Sequence, residues 1–137
     1  EQQEDDLSIL SNYQFLSTIE NDDWKRGLIL PEQLQEVLGQ NPNLGFTFDF
    51  AHASAVSLEL TKEYLEKLRD KITQIHMSYL DKTMKDHSFL HQHANKRIES
   101  LLRLIPDSVP LVLEAVASNQ ADLPLIRKEI DYFRSLN

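Results

Sequence analysis

The sequence predicts an α/β protein in which four parallel strands alternate with helices, and three observations carry that expectation. Four short apolar runs recur along the chain, and each closes on an acidic or imidazole side chain: Glu20, Asp49, His76 and Glu114. Segments with helical periodicity separate the runs and follow the last. The four closing residues are 29, 27 and 38 positions apart, and a βα unit of an eight-stranded barrel averages about 31 residues. The expected architecture is therefore half of a (β/α)8 barrel.

The first strand is expected over Tyr13 to Ile19, a stretch rich in β-branched and aromatic residues that Asn21-Asp22-Asp23 then breaks. Pro31 suits a first helical position, and the helix it opens reaches Leu38 with Gly39 at its end. Asn41-Pro42-Asn43 makes a turn into a second strand, Leu44 to Phe50. Leu58, Leu60, Tyr64, Leu65 and Leu68 form a near 3.6-residue stripe, so Leu58 to Leu68 is a helix. Ile72 to Met77 is the third strand, and Tyr79 to His93, polar and without clear periodicity, reads as a long loop. Ala94 to Ile105 resumes as a helix with Ile98, Leu101, Leu102 and Ile105 on one face, ended by Pro106-Asp107-Ser108. Val109 to Leu113 is the fourth strand, and Leu123 to Leu136 is an amphipathic helix presenting Leu125, Ile126, Ile130 and Phe133.

Length and composition bound the rest. The 137 residues suffice for one domain, residues 1–137, and 41% apolar with 26% charged residues is globular composition. No apolar run approaches the ~20 residues that span a bilayer. No charged-then-apolar leader opens the chain, so a cytoplasmic protein is expected. The absence of cysteine excludes disulfides, thiolate metal sites and cysteine nucleophiles. A net charge of −8 argues against nucleic acid as a partner, because such affinity comes largely from neutralising phosphates. Four units cannot close an eight-stranded barrel. The acidic opening Glu1 to Asp6 looks like the tail of a helix, as if a longer chain had been cut. An open four-stranded parallel sheet would need its edge strands covered; of the alternatives, self-association by pairing of two copies or a missing N-terminal half, the missing half is the expectation.

Parallel strands of this arrangement bring their C-terminal ends to one rim, where barrels of this type hold their active sites. Two Glu, one Asp and one His at one point suit an octahedral divalent cation: Mn2+, Mg2+ or Co2+, with Zn2+ also compatible. Each residue has a plain structural alternative as well. Glu20 could stand in a solvated turn, His52 could cap or pack near a loop, and His76 could be a hydrogen-bonded core histidine. Asp49 and Glu114 have apolar neighbours and are costly to bury unless paired or metal-bound. His87, His91 and His93 cluster in the polar loop, where histidines usually bind nothing, and Trp24 could line a sugar pocket or cover the core.

Ile19-Glu20-Asn21, Phe48-Asp49-Phe50-Ala51-His52-Ala53, Ile75-His76 with Asp86-His87, and Leu113-Glu114 stand in the order and spacing of a known pattern. In these the chain resembles the C-terminal half of the xylose-isomerase-like TIM barrels, over nearly its whole length from Phe15. That superfamily includes sugar-phosphate isomerases, ketose 3-epimerases and the endonuclease IV group. The resemblance implies a metal held by Glu20, Asp49, His76 and Glu114, with Glu20 and Glu114 also as the acid/base pair that moves a proton on the carbon beside a carbonyl. It further implies that His52 and Lys82 bind the substrate, a small sugar or sugar phosphate. In the endonuclease branch His52 and His87 would be additional zinc ligands. There the acidic residue expected two before His87 is replaced by Lys85, with Asp86 adjacent. A Gly-x-Gly common in the family is His91-Gln92-His93 here. Three readings follow: a metal-dependent isomerase or epimerase incomplete without its first half, a zinc phosphodiesterase, or a non-catalytic half-barrel.

Overall fold

The computed structural model describes residues 17–22, 25, 27–81, 83, 86–117 and 119–136. Strand β1 is Ser17–Glu20, helix α1 Pro31–Gln40 and strand β2 Leu44–Asp49. Two helices follow, α2 Phe50–Val56 and α3 Leu58–Lys67, before strand β3, Ile72–Met77. Helix α4 is Lys96–Leu102, strand β4 Leu111–Leu113 and helix α5 Leu123–Ser135. Short 3-10 turns cover Arg69–Lys71, Leu90–Gln92 and Gln120–Asp122.

The sheet is parallel throughout, in the order β1-β2-β3-β4. Each new strand is added on the same side, and crossovers between parallel strands are almost always right-handed, so such an order keeps the helices on one face. The core lies there. Leu44, Phe46 and Phe48 of β2 and Ile72, Ile75 and Met77 of β3 pack with Leu34, Leu38, Tyr64, Leu65, Ile98 and Leu101 from the helices. Phe46, Phe48 and Tyr64 make ring contacts at 5.7–5.9 Å between centroids, each worth about 0.5–1.5 kcal/mol beyond burial. Thr18, Thr47, Gln74, His76 and Val112 alternate with the core residues along the paired strands and carry the opposite face. This is the α/β architecture expected, with a sheet consistent with half a barrel.

Several element boundaries differ from the sequence expectation, each for a local reason. The Tyr13–Leu16 part of the first strand lies outside the described residues, as do Trp24, Lys82 and Lys85. Helix α1 runs through Gly39 to Gln40 and ends at Asn41, whose backbone N–H and side-chain Nδ2 both donate to Val37 O. Phe50 leaves the strand and opens α2, because the Asp49 carboxylate caps that helix. Helix α4 begins only after Asn95, whose Oδ1 accepts from the N–H groups of Arg97 and Ile98, and it ends at Leu102. Strand β4 shortens to three residues. Among its described residues the 79–93 segment is the loop expected, but it is tied down: Phe89 and Leu90 are buried and Tyr79 pairs with Ser88 as an antiparallel bridge. On α5 the buried position is Glu129, while Ile130 is exposed. Among the described residues no helix is long and apolar enough to cross a membrane.

Candidate functional site

Strand pairing decides which side chains share the face opposite the helices. Glu20 is registered with Thr47 and Asp49 with His76, while Val112, two residues before Glu114, is registered with His76. Because strand side chains alternate, all four expected residues issue from this one face at the C-terminal ends of the strands. A hydrogen bond between the Thr18 and Thr47 hydroxyls, 2.8 Å, ties β1 to β2 just below. Asn21, fully buried, locks the same two strand ends together: its Nδ2 donates to Asp49 O and its Oδ1 accepts from Asp49 N.

Asp49 is the centre of the arrangement. It is fully buried, and Oδ1 accepts the backbone N–H of His52 at 2.8 Å. Its Oδ2 is buried too and makes no hydrogen bond among the described residues. Desolvation pushes its carboxyl up to about 7, with Glu20 and Glu114 adding repulsion and His52 opposing. Burial, more than any neighbouring charge, also raises the Glu20 carboxyl above its ordinary range.

His76 sits between the two glutamates. Its Nδ1 is 3.0 Å from Glu114 Oε1 and 3.5 Å from Glu20 Oε2, yet it is buried without hydrogen-bonding alignment to either. On the other side of the ring, Nε2 lies 2.7 Å from the Gln74 amide nitrogen. His52 faces the same space: its Nδ1 donates to Asn21 O at 3.1 Å and stands 3.6 Å from Asp49 Oδ2 and 3.7 Å from Glu20 Oε1. A carbonyl can only accept, so the Nδ1 proton is fixed and Nε2 is left as the lone-pair nitrogen of neutral His52.

His87 arrives from the 79–93 segment. Its Nδ1 is 2.7 Å from the buried Ser78 Oγ, and its ring meets that of His52 edge-on, with centroids 5.4 Å apart. Two groups of potential ligand atoms result, each within 4.8 Å: Glu20, Asp49 and His52, and Asp49, His87 and Glu114. Asp49 belongs to both. His76 belongs to neither group: it meets the pair of glutamates at 3.0 and 3.5 Å, beside the Asp49-centred groups that take in His52 and His87. His91 and His93 are not part of this cluster. His91 bonds Glu129, and His93 stacks on Tyr79 with ring centroids 3.8 Å apart. Both are half-buried, not the exposed loop histidines the sequence suggested.

Sequence reasoning did not single out Gln74, Ser78 or Glu129, and it gave Asn21 no role beyond a strand breaker and a member of the Ile19-Glu20-Asn21 marker. Adjacent polar residues Thr73 and Gln74 inside an apolar strand were a visible signal; for Asn21 and Ser78 there was none, because their partners are distant in sequence. Fold and site define a class: a parallel α/β protein whose strands are added in sequence and end in a shared cluster of carboxylates and imidazoles. No protein-family model matches the chain, and a search of the curated proteins finds no match.

Proposed function

We propose that this chain is the C-terminal (β/α)4 portion of a xylose-isomerase-like barrel, and that its rim is the divalent-metal site of a sugar or sugar-phosphate isomerase or epimerase. The observation that carries the reading is the cluster in which Asp49 joins Glu20 and His52 on one side and His87 and Glu114 on the other, with His76 against both glutamates; among the described residues Asp49 Oδ2 and His76 Nδ1 are buried without hydrogen bonds. Buried polar atoms normally have partners, and two such atoms at one rim suit cation binding there. Neighbouring ligands about 2.1 Å from an octahedral ion stand about 3.0 Å apart. The 3.0 Å between His76 Nδ1 and Glu114 Oε1 matches that spacing, while Glu20 Oε2 stands farther off at 3.5 Å. Mixed carboxylate and imidazole donors favour Mn2+, Mg2+ or Co2+ and tolerate Zn2+.

Bound there, the cation would supply charge stabilisation for the anion that develops when a carbon beside a carbonyl is deprotonated, a contribution of several kcal/mol. The protein's own part is to position and move the proton. Glu20 comes from one outer strand and Glu114 follows the other, so the two carboxylates can serve opposite faces of a substrate, one as base and one as acid. The elevated Glu20 carboxyl is closer to the working range of a base at neutral pH. His52 would orient substrate oxygens, and Lys82, outside the described residues, is proposed as a substrate clamp on sequence grounds alone.

Calorimetric titration with Mn2+ tests the proposal. The chain should bind one ion, and Asp49→Asn or His76→Ala should weaken that binding by tenfold or more. An unaltered chain that takes up no Mn2+ sinks the reading. A second reading, zinc-dependent phosphodiester cleavage, is favoured by one observation: Asp49 is shared between two ligand groups that bring in His52 and His87. Two Zn2+ ions per chain, one of them lost in His87→Ala, would select it over the single-ion site.

A further inference from the structure

Helix α5 would be expected to dock through its apolar stripe, yet of its 13 residues the buried one is a glutamate. Glu129 is fully buried, and its carboxylate is met by three donors from one turn. Oε1 accepts from Leu90 N at 2.7 Å, and Oε2 accepts from His91 N at 2.8 Å and from His91 Nδ1 at 2.6 Å. A buried carboxylate persists only where such bonds replace its water, so this contact is both highly specific in geometry and intolerant of change.

The turn that Glu129 grips is the continuation of the segment that delivers His87. Two residues separate His87 from Leu90, and Phe89 between them is buried. Ser88 exchanges both backbone hydrogen bonds with Tyr79 at 2.9 Å, Val116 N donates to His87 O at 3.0 Å, and Ser88 Oγ is 3.0 Å from His93 Nε2. His87 is therefore fixed from the strand side by Ser78 and Tyr79, and from the chain after β4 by Val116 and Glu129. We propose that Glu129 is a positioning residue: by clamping the Leu90–Gln92 turn it sets where the His87 imidazole stands relative to Asp49 and Glu114. Its importance for chemistry rests on the rim site proposed above; the clamp itself does not.

Amide hydrogen exchange and the NMR signals of the histidine rings test this on the whole chain. In Glu129→Gln, the Leu90 and His91 amides should exchange about tenfold faster, as expected for a lost charge-assisted bond. The distinguishing result is at a distance: the Ser88 and Val116 amides should also lose protection, and the His87 ring signals should shift together with those of His52, whose ring it meets edge-on. If only Leu90 and His91 respond, Glu129 merely secures its own turn and the proposal is overturned. Should Glu129→Gln fail to fold, His91→Ala removes one of the three bonds and Glu129→Asp shortens the reach, and the same four amides decide. A Mn2+ titration of the same variants separates this inference from the function proposed above. An unaltered chain that binds no ion removes the metal reading, while the exchange pattern still determines whether the clamp holds His87.

Discussion

Burial places Asp49 in conflict with its own charge, and that conflict has a measurable sign. Its carboxyl is pushed from an ordinary value of 3.8 up to about 7. The unfolded chain therefore gives up this proton first. Between about pH 4 and pH 7 the native state holds more protons, so the contribution of Asp49 to stability falls as pH rises through that window and levels off above it. At about 1.4 kcal/mol per pH unit the loss amounts to a few kcal/mol. Metal-free Asp49→Asn should accordingly resist urea better than the parent at pH 8 and show little advantage at pH 4, while losing cation affinity. Equal midpoints at pH 8 would show that Asp49 is not held at an elevated value. The sequence made Asp49 legible as a candidate because a charge among Phe48, Phe50 and Ala51 is anomalous. It could not show that one oxygen caps α2 while the other stays unbonded.

The pairing of β2 with β3 decides whether the site exists at all. The register shifts between Phe46 and Thr47: Phe46 pairs with Ile72, but Thr47 pairs with Gln74. Without that extra residue, Asp49 would lie opposite Ile75, and His76 would point into the helix-side core, since a one-residue slip exchanges the two faces. Gly45 makes the local packing feasible. A Cβ there would lie 2.6 Å from Thr73 Oγ1, 2.8 Å from Cγ2 and 3.2 Å from Cβ. A β-branched side chain cannot swing both γ atoms away, so Gly45→Ala should cost about 1–3 kcal/mol. Thr73→Ala in the same chain should recover most of it, leaving only the 3.2 Å contact. Urea denaturation of the two single variants and the double variant measures the coupling; a neutral Gly45→Ala would mean the strands separate without penalty. Apolar periodicity placed β2 and β3 within a residue of their observed limits. The bulge was signalled only by Thr73 and Gln74 standing side by side.

Parallel sheets are ordinarily covered on both faces, and here the helices cover one. Among the described residues, the outer edges of β1 and β4 have no strand partner. Leu111, Val112, Val116 and Leu123, on and after β4, are exposed. Both features favour association, either with a complementary half-barrel or between copies. Sedimentation velocity on the chain alone should therefore show concentration-dependent association, and Val112→Lys, which places a charge on the β4 edge, should reduce it. A strictly monomeric chain at all concentrations would mean that its edges are blocked by some other means. The sequence by itself determined the alternation of strands and helices and the placing of Glu20, Asp49, His76 and Glu114 at strand ends, because hydrophobic period and turn chemistry act over a few residues. Only the tertiary structure decided that His76 shares a face with Asp49, that Asp49 joins two ligand groups, and that Glu129 is buried against the turn following His87. Those outcomes depend on register and packing between residues 27 to 65 positions apart, a range over which local patterns carry no information.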